Sequence, residues 1–138
     1  MDRAMIPYDQ GFSPPAPVLQ VTITNCTQKR RWRTMSALVD TGSDISAVPR
    51  ELAHTLQLYP VGRLRLEDVQ ARVTIALTYV VQLTVAGLVI PRLEVILTGL
   101  SHVVLGRDAL AEFCVLLRGP EQTFDMGATL DAILPGAA

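Results

Sequence analysis

Aromatic residues are scarce in this chain: three Phe, three Tyr and one Trp among 138 residues. The core must be built from Val, Leu, Ile and Ala instead. Cysteine is scarcer still. Cys26 and Cys114 stand far apart and form no CxxC pattern. Nothing marks a disulfide-stapled secreted scaffold, and two free thiols in a reducing compartment are expected. His54 and His102 share no ligand spacing with each other or with cysteine, so no metal is expected, and no cofactor is implied. Excess charge of either sign is also missing. The net charge of −1 gives no global pull toward nucleic acid or an anionic membrane. No basic segment followed by an apolar stretch opens the chain, so a signal peptide is not expected and a cytoplasmic location is. Glycine is absent between Gly62 and Gly87, a gap that matters below.

What is present is hydrophobic patterning. The chain is 49% hydrophobic and 18% charged, which suits one folded domain rather than disorder. Val73 to Ile90 carries no charge and is long enough to span a bilayer. Its period of two argues for a strand: Val73, Ile75, Leu77, Tyr79, Val81, Leu83 and Val85 share one face, expected to be the buried one. Shorter alternating runs predict strands over 18–24, 33–39 and 93–97, with a buried strand at 103–105. The segment 63–79 reads as a hairpin whose tip lies near Glu67–Gln70. Pro49 to Leu58 reads as a short helix, with Leu52 and Leu56 on one face. Asp108 is a candidate N-cap for a second helix over Ala109–Phe113. Val115–Leu117 and Thr123–Met126 flank Gly119-Pro120 as a closing hairpin. A proline-rich extended arm over residues 1–17, a domain over 18–126 and a tail over 127–138 complete the division. Many short strands with one or two short helices describe a mostly-β barrel or sandwich.

Two motifs carry chemistry. The apolar strand Ala37-Leu38-Val39 runs into Asp40-Thr41-Gly42-Ser43-Asp44, and Val103-Val104-Leu105 runs into Gly106-Arg107-Asp108. The pair, in this order and each behind an apolar strand, resembles the retropepsin family of retroviral-type aspartic proteases. The resemblance covers residues 18–126 and implies a single-lobe, closed β-barrel active as a homodimer. It implies an endopeptidase in which Asp40 from each of two chains forms a dyad sharing one proton, because two like charges that close cannot both ionise. The Asp-Thr-Gly turn occurs once, so the mate must come from a second copy. Thr41 and Gly42 are then supports of the active-site loop. Ser43 and Asp44 are implied to contact substrate, and Asp44 to pair with Arg107. Asp68 and Val69, at the tip of the 63–79 hairpin, are candidate substrate contacts under a flap, and Val48 and Val104 are further lining candidates. The family's flap tip is glycine-rich; Glu67-Asp68-Val69-Gln70 is acidic and bulkier, and its carboxylates are placed to shift the pH range or to select basic substrates.

Two other readings compete. A catalytically idle peptide-binding or dimerisation module would keep the fold without the reaction, and the glycine-free flap is its main support. The run Lys29-Arg30-Arg31-Trp32-Arg33 has the composition of a nucleic-acid contact, set against a solvated turn between strands. The balance favours the turn, and neither a nucleic-acid nor a membrane partner is expected.

Overall fold

A computed structural model describes residues 5–134. The outer ends of the arm (1–4) and of the tail (135–138) lie outside the described residues. In chain order the elements are β1 (Ile6–Pro7), β2 (Val18–Asn25), β3 (Trp32–Val39), β4 (Ala47–Pro49), α1 (Arg50–Thr55), β5 (Gly62–Glu67), β6 (Val73–Val85), β7 (Leu88–Thr98), β8 (Val103–Leu105), α2 (Arg107–Leu110), β9 (Cys114–Arg118), β10 (Thr123–Gly127) and α3 (Leu130–Ile133).

Six strands close on themselves. The order β2-β3-β8-β4-β7-β6 returns to β2 through an antiparallel pairing of Thr22–Asn25 with Val81–Thr84, and β5 hangs outside the ring on β6. Closure removes the free sheet edges that would otherwise invite association. The interior is aliphatic, as the composition requires: Val21, Ile23, Val48, Val81, Leu83, Val95, Val103 and Leu105 are each no more than 2% exposed. Val48 therefore belongs to the barrel interior and not to a substrate surface, which corrects the sequence expectation. A second sheet, β1-β10-β9, caps the barrel with Phe124, which is fully buried. The arm is thereby tied down, since Ile6 and Pro7 pair with Phe124 and Thr123.

The long β6 strand has two fates. Its second half pairs with β2 and β7, and Val81, Leu83 and Val85 are buried. Its first half pairs only with β5, projecting as a two-stranded arm. There the expected buried face is exposed: Val73 by 42%, Ile75 by 64% and Leu77 by 47%. Alternation identified the strand, but burial of a face needs a second layer above it, and none covers this arm among the described residues. β7 bulges at Pro91-Arg92, two residues that face Gln82 alone between the pairs Leu83–Ile90 and Val81–Leu93. Proline has no N–H to continue the ladder, so the register slips there.

The helix expected at Ala109–Phe113 starts earlier, at Arg107, and its N-cap is Gly106. Asp108 serves another purpose, described below. In the tail, α3 is capped by the Thr129 hydroxyl and buries Ile133 against the β9–β10 sheet. No helix among the described residues is long and apolar enough to cross a membrane.

Replacing Phe124 by Ala removes the ring that joins the capping sheet to the barrel. It is expected to lower unfolding free energy by about 3–5 kcal/mol, measurable by urea titration.

Candidate active site

The site is assembled where two strands end side by side. β3 and β8 run parallel, with Leu38 opposite Val104 and Val39 opposite Leu105. The Asp40 N–H continues this ladder to the Leu105 carbonyl at 3.0 Å. The two sequence motifs, distant along the chain, thus emerge together at one end of the barrel.

Asp40 is half-buried at this mouth. Its Oδ1 accepts the Gly42 N–H at 2.9 Å, and its carbonyl accepts the Ser43 N–H at 3.3 Å, so the carboxylate is held by its own turn. The turn is in turn clamped from the β8 side. The Arg107 N–H donates to the Ser43 carbonyl at 2.8 Å. The Arg107 guanidinium donates to the Thr41 carbonyl at 2.7 Å and pairs with Asp44. Both charged groups of that pair are exposed, so it contributes little stability by itself; its planar fork orients the loop. Ser43 Oγ donates to the Ile45 carbonyl at 2.7 Å.

Three further residues join this clamp and were not singled out from the sequence as site residues. Gly106 packs so tightly that a Cβ would lie 2.7 Å from the Ile45 carbonyl carbon, so no side chain fits. Asp108 accepts from Ser46 through both oxygens, from the N–H at 3.0 Å and the hydroxyl at 2.7 Å. Ser46 Oγ accepts the Gly106 N–H at 2.9 Å. Ser46 is 1% exposed, and this chain of bonds satisfies it fully. Asp108 also accepts the Ala109 N–H at 2.8 Å. Its carboxylate thus steadies both the loop and α2.

A cleft of about 1160 Å³ opens beside the loop. Gly42, Ser43, Asp44 and Ile45 form one wall; the β5–β6 hairpin forms the opposite one through Leu64, Leu66 and Thr74; β7 supplies Leu93, Glu94 and Ile96. The β5–β6 hairpin and the loop thus border one cleft. Its tip is built without glycine. Asp68 Oδ1 accepts the N–H groups of Gln70 at 2.8 Å and Arg72 at 2.9 Å, and Oδ2 accepts Arg72 Nε at 2.8 Å. Ala71 takes the left-handed conformation, with φ 62°. Its small side chain makes this less costly than a bulkier one would, though dearer than glycine. Asp68 is thus occupied by its own turn, Val69 is wholly solvent-exposed at the tip, and Val104 is buried beside the loop. The basic run forms the turn between β2 and β3, where Lys29 Nζ donates to Gln82 and Arg31 to Gln28. Cys26 and Cys114 are free thiols. Among the described residues no cluster of His, Cys, Asp or Glu has the arrangement to hold a metal.

Residues 31–112 match the model of the family described as "gag-polyprotein putative aspartyl protease". The chain belongs to this family. The solved structures agree on a retropepsin-like fold. A retropepsin-like aspartic protease from Rickettsia conorii is 14% identical, with a TM-score of 0.60 over 90% of this chain and 89% of that one. The EIAV protease complexed with the inhibitor HBY-793 is 20% identical, with a TM-score of 0.50 over 70% of this chain and 86% of that one. The foamy viral protease-reverse transcriptase, solved with an RNA/DNA hybrid, is 17% identical, with a TM-score of 0.50 over 69% of this chain. This chain spans only 12% of that protein's length. At these identities the likeness is one of fold. No curated protein matches the sequence.

The tip is expected to respond to pH. The Arg72 backbone N–H holds the Asp68 carboxyl below its usual 3.8; slight burial opposes this, and the Arg72 guanidinium and Gln70 N–H reinforce it. A depressed carboxyl stabilises the folded tip above its ordinary titration range, and that contribution is lost as pH falls through the depressed value. The Gln70 and Arg72 amide NMR shifts should hold steady at neutral pH and move together below pH 3.8. Asp68→Asn should abolish that movement.

Proposed function

We propose that this chain is an aspartic endopeptidase whose catalytic dyad is made of Asp40 from two copies. The carrying observation is the state of the acids around the loop. Asp44 is paired with Arg107, Asp108 is bound to Ser46, and Asp68 is spent on the hairpin tip. On the loop itself, Asp40 has no cation paired to it among the described residues, whereas Asp44 does. A single chain thus offers one free carboxylate on this loop, where the reaction needs two, and a two-fold axis supplies the second.

In this reading the two carboxylates share one proton. The ionised member takes a proton from a bound water as it attacks the scissile carbonyl; the protonated member polarises that carbonyl and then protonates the leaving amine. Thr41 and Gly42 hold the loop, and the Gly42 N–H fixes the Asp40 carboxylate. Ser43 and Asp44, on the cleft wall, meet the peptide backbone, which enters extended and adds as a strand. The flap closes over it, with Val69 at its tip and Asp68 keeping the tip in shape. The partners are a second copy and a peptide or protein substrate, within the domain spanning 18–126. The idle-module reading keeps the glycine-free hairpin as its support, and the intact Asp40-Thr41-Gly42 turn weighs against it, because a scaffold gains little from keeping that carboxylate.

Asp40→Asn is expected to abolish cleavage of a random peptide library at acidic pH while leaving the fold and α2 intact by circular dichroism. Mixing equal amounts of wild type and Asp40→Asn, after subunit exchange, should leave about one quarter of the activity that the same total of wild type shows, because only one assembled pair in four carries both acids. Activity of about one half would mean that each chain works alone.

A further inference from the structure

One sequence motif lies far from the cleft. The turn between β2 and β3 carries Lys29, Arg30, Arg31 and Arg33, with Trp32 among them. β3 runs from Trp32 to Val39 before reaching Asp40. At about 3.3 Å per residue the turn therefore stands about 25 Å from the mouth, at the other end of the barrel. A fifth cation joins it. Arg92 is exposed, and the carbonyl of its neighbour Pro91 accepts the Cys26 thiol at 3.4 Å. None of the five has a carboxylate partner among the described residues. Lys29 and Arg31 bind only the neutral side chains of Gln82 and Gln28. The sequence has no acid from Gln10 to Val39 and none on β6, so the strands around the turn do not offset its charge.

Buried Asn25 gives this turn a fixed shape. Its Oδ1 accepts the Thr27 and Gln28 N–H groups at 2.9 and 3.0 Å, its N–H binds the Arg31 carbonyl at 2.9 Å, and its Nδ2 donates to the Leu56 carbonyl at 2.8 Å. Like charges are thus held side by side against their repulsion, which a turn that only joins two strands does not require. Trp32 is 55% exposed in a chain poor in aromatic residues. It stands opposite Thr24, and the same outer face continues through the pairs Thr22–Thr34 and Gln20–Ser36, each joined by a side-chain hydrogen bond. A lipid surface takes up apolar side chains; this face offers one ring among hydroxyls and amides. A single nucleic-acid strand matches it better: phosphates for the cations, a base for the ring, and polar edges for the hydroxyls and amides.

We propose that the β2–β3 turn and the outer face beside it bind single-stranded nucleic acid, with Lys29, Arg30, Arg33 and Arg92 on phosphates and Trp32 stacked on a base. The site is independent of the endopeptidase reading, since it uses no residue of the cleft. The sequence alone weighs toward a solvated turn. The Asn25 scaffold, the arrival of Arg92 and the exposed ring reverse that weight.

Trp32 is the chain's only tryptophan, so intrinsic fluorescence reports on this site alone. Oligo(dT) or oligo(rU), added to the whole chain, should quench that emission, and the anisotropy of the fluorescein-labelled oligomer should rise with the same midpoint. Affinity should fall with salt at a log–log slope of about −2 to −3, as expected for three or four phosphates on a single strand. Arg30→Gln/Arg33→Gln should weaken binding and flatten that slope by about 1.4. Trp32→Ala should weaken binding about tenfold with the slope unchanged. Both variants alter exposed side chains, and circular dichroism should match wild type. Arg63→Gln/Arg65→Gln removes the same charge from the β5–β6 hairpin and should leave binding as it was. Binding that survives Arg30→Gln/Arg33→Gln, that falls equally in Arg63→Gln/Arg65→Gln, or that leaves Trp32 emission unmoved contradicts the site. So does a response to phosphatidylserine vesicles without one to either oligomer, which would make this face a membrane contact.

Discussion

Everything at the mouth of this barrel depends on the parallel contact between β3 and β8. Two strands that end side by side deliver Asp40 and Gly106 to the same place, and the bonds that follow hold the Asp40 loop from behind. Gly106 allows backbone to touch backbone where a Cβ would meet Ile45 at 2.7 Å. Arg107 ties the Thr41 and Ser43 carbonyls, and Asp108 ties Ser46. These contacts are mostly to backbone, so they fix the loop's path more than they add stability. In the proposed dyad, a carboxylate that meets its mate within hydrogen-bonding distance needs that fixed path.

The flap shows the opposite economy. Its outer face exposes Val73, Ile75 and Leu77, and it pairs with the barrel only at its base. Few buried contacts mean low local stability, which would suit the lid role proposed for it. Its tip is nonetheless shaped, by an aspartate that collects two N–H groups and a guanidinium. A glycine-rich tip would leave the backbone free; this one replaces that freedom with side-chain hydrogen bonds from Asp68.

Much of this was legible in the residues. Strand positions followed from alternation, and the closing hairpin from Gly119-Pro120. The Asp44 and Arg107 contact followed from the resemblance of the two motifs. What escaped has physical reasons. Alternation in β6 does not say which half has a layer above it, so the exposed flap face read as core. Val48 is apolar near a motif, and only the closed ring shows that it points inward. Asp108 reads as a cap from its neighbours, while its partner Ser46 lies 62 positions away. Asp68 building a glycine-free tip needs the register of Gln70 and Arg72.

The central claim is that two copies bring residue 40 together around a peptide. The most direct test is an experimental structure of the Asp40→Asn protein with an uncut peptide. The account requires two chains related by a two-fold axis, with both residue-40 side chains within hydrogen-bonding reach of each other and of one peptide carbonyl. A peptide seated on a lone chain, with residue 40 turned to solvent, would contradict it.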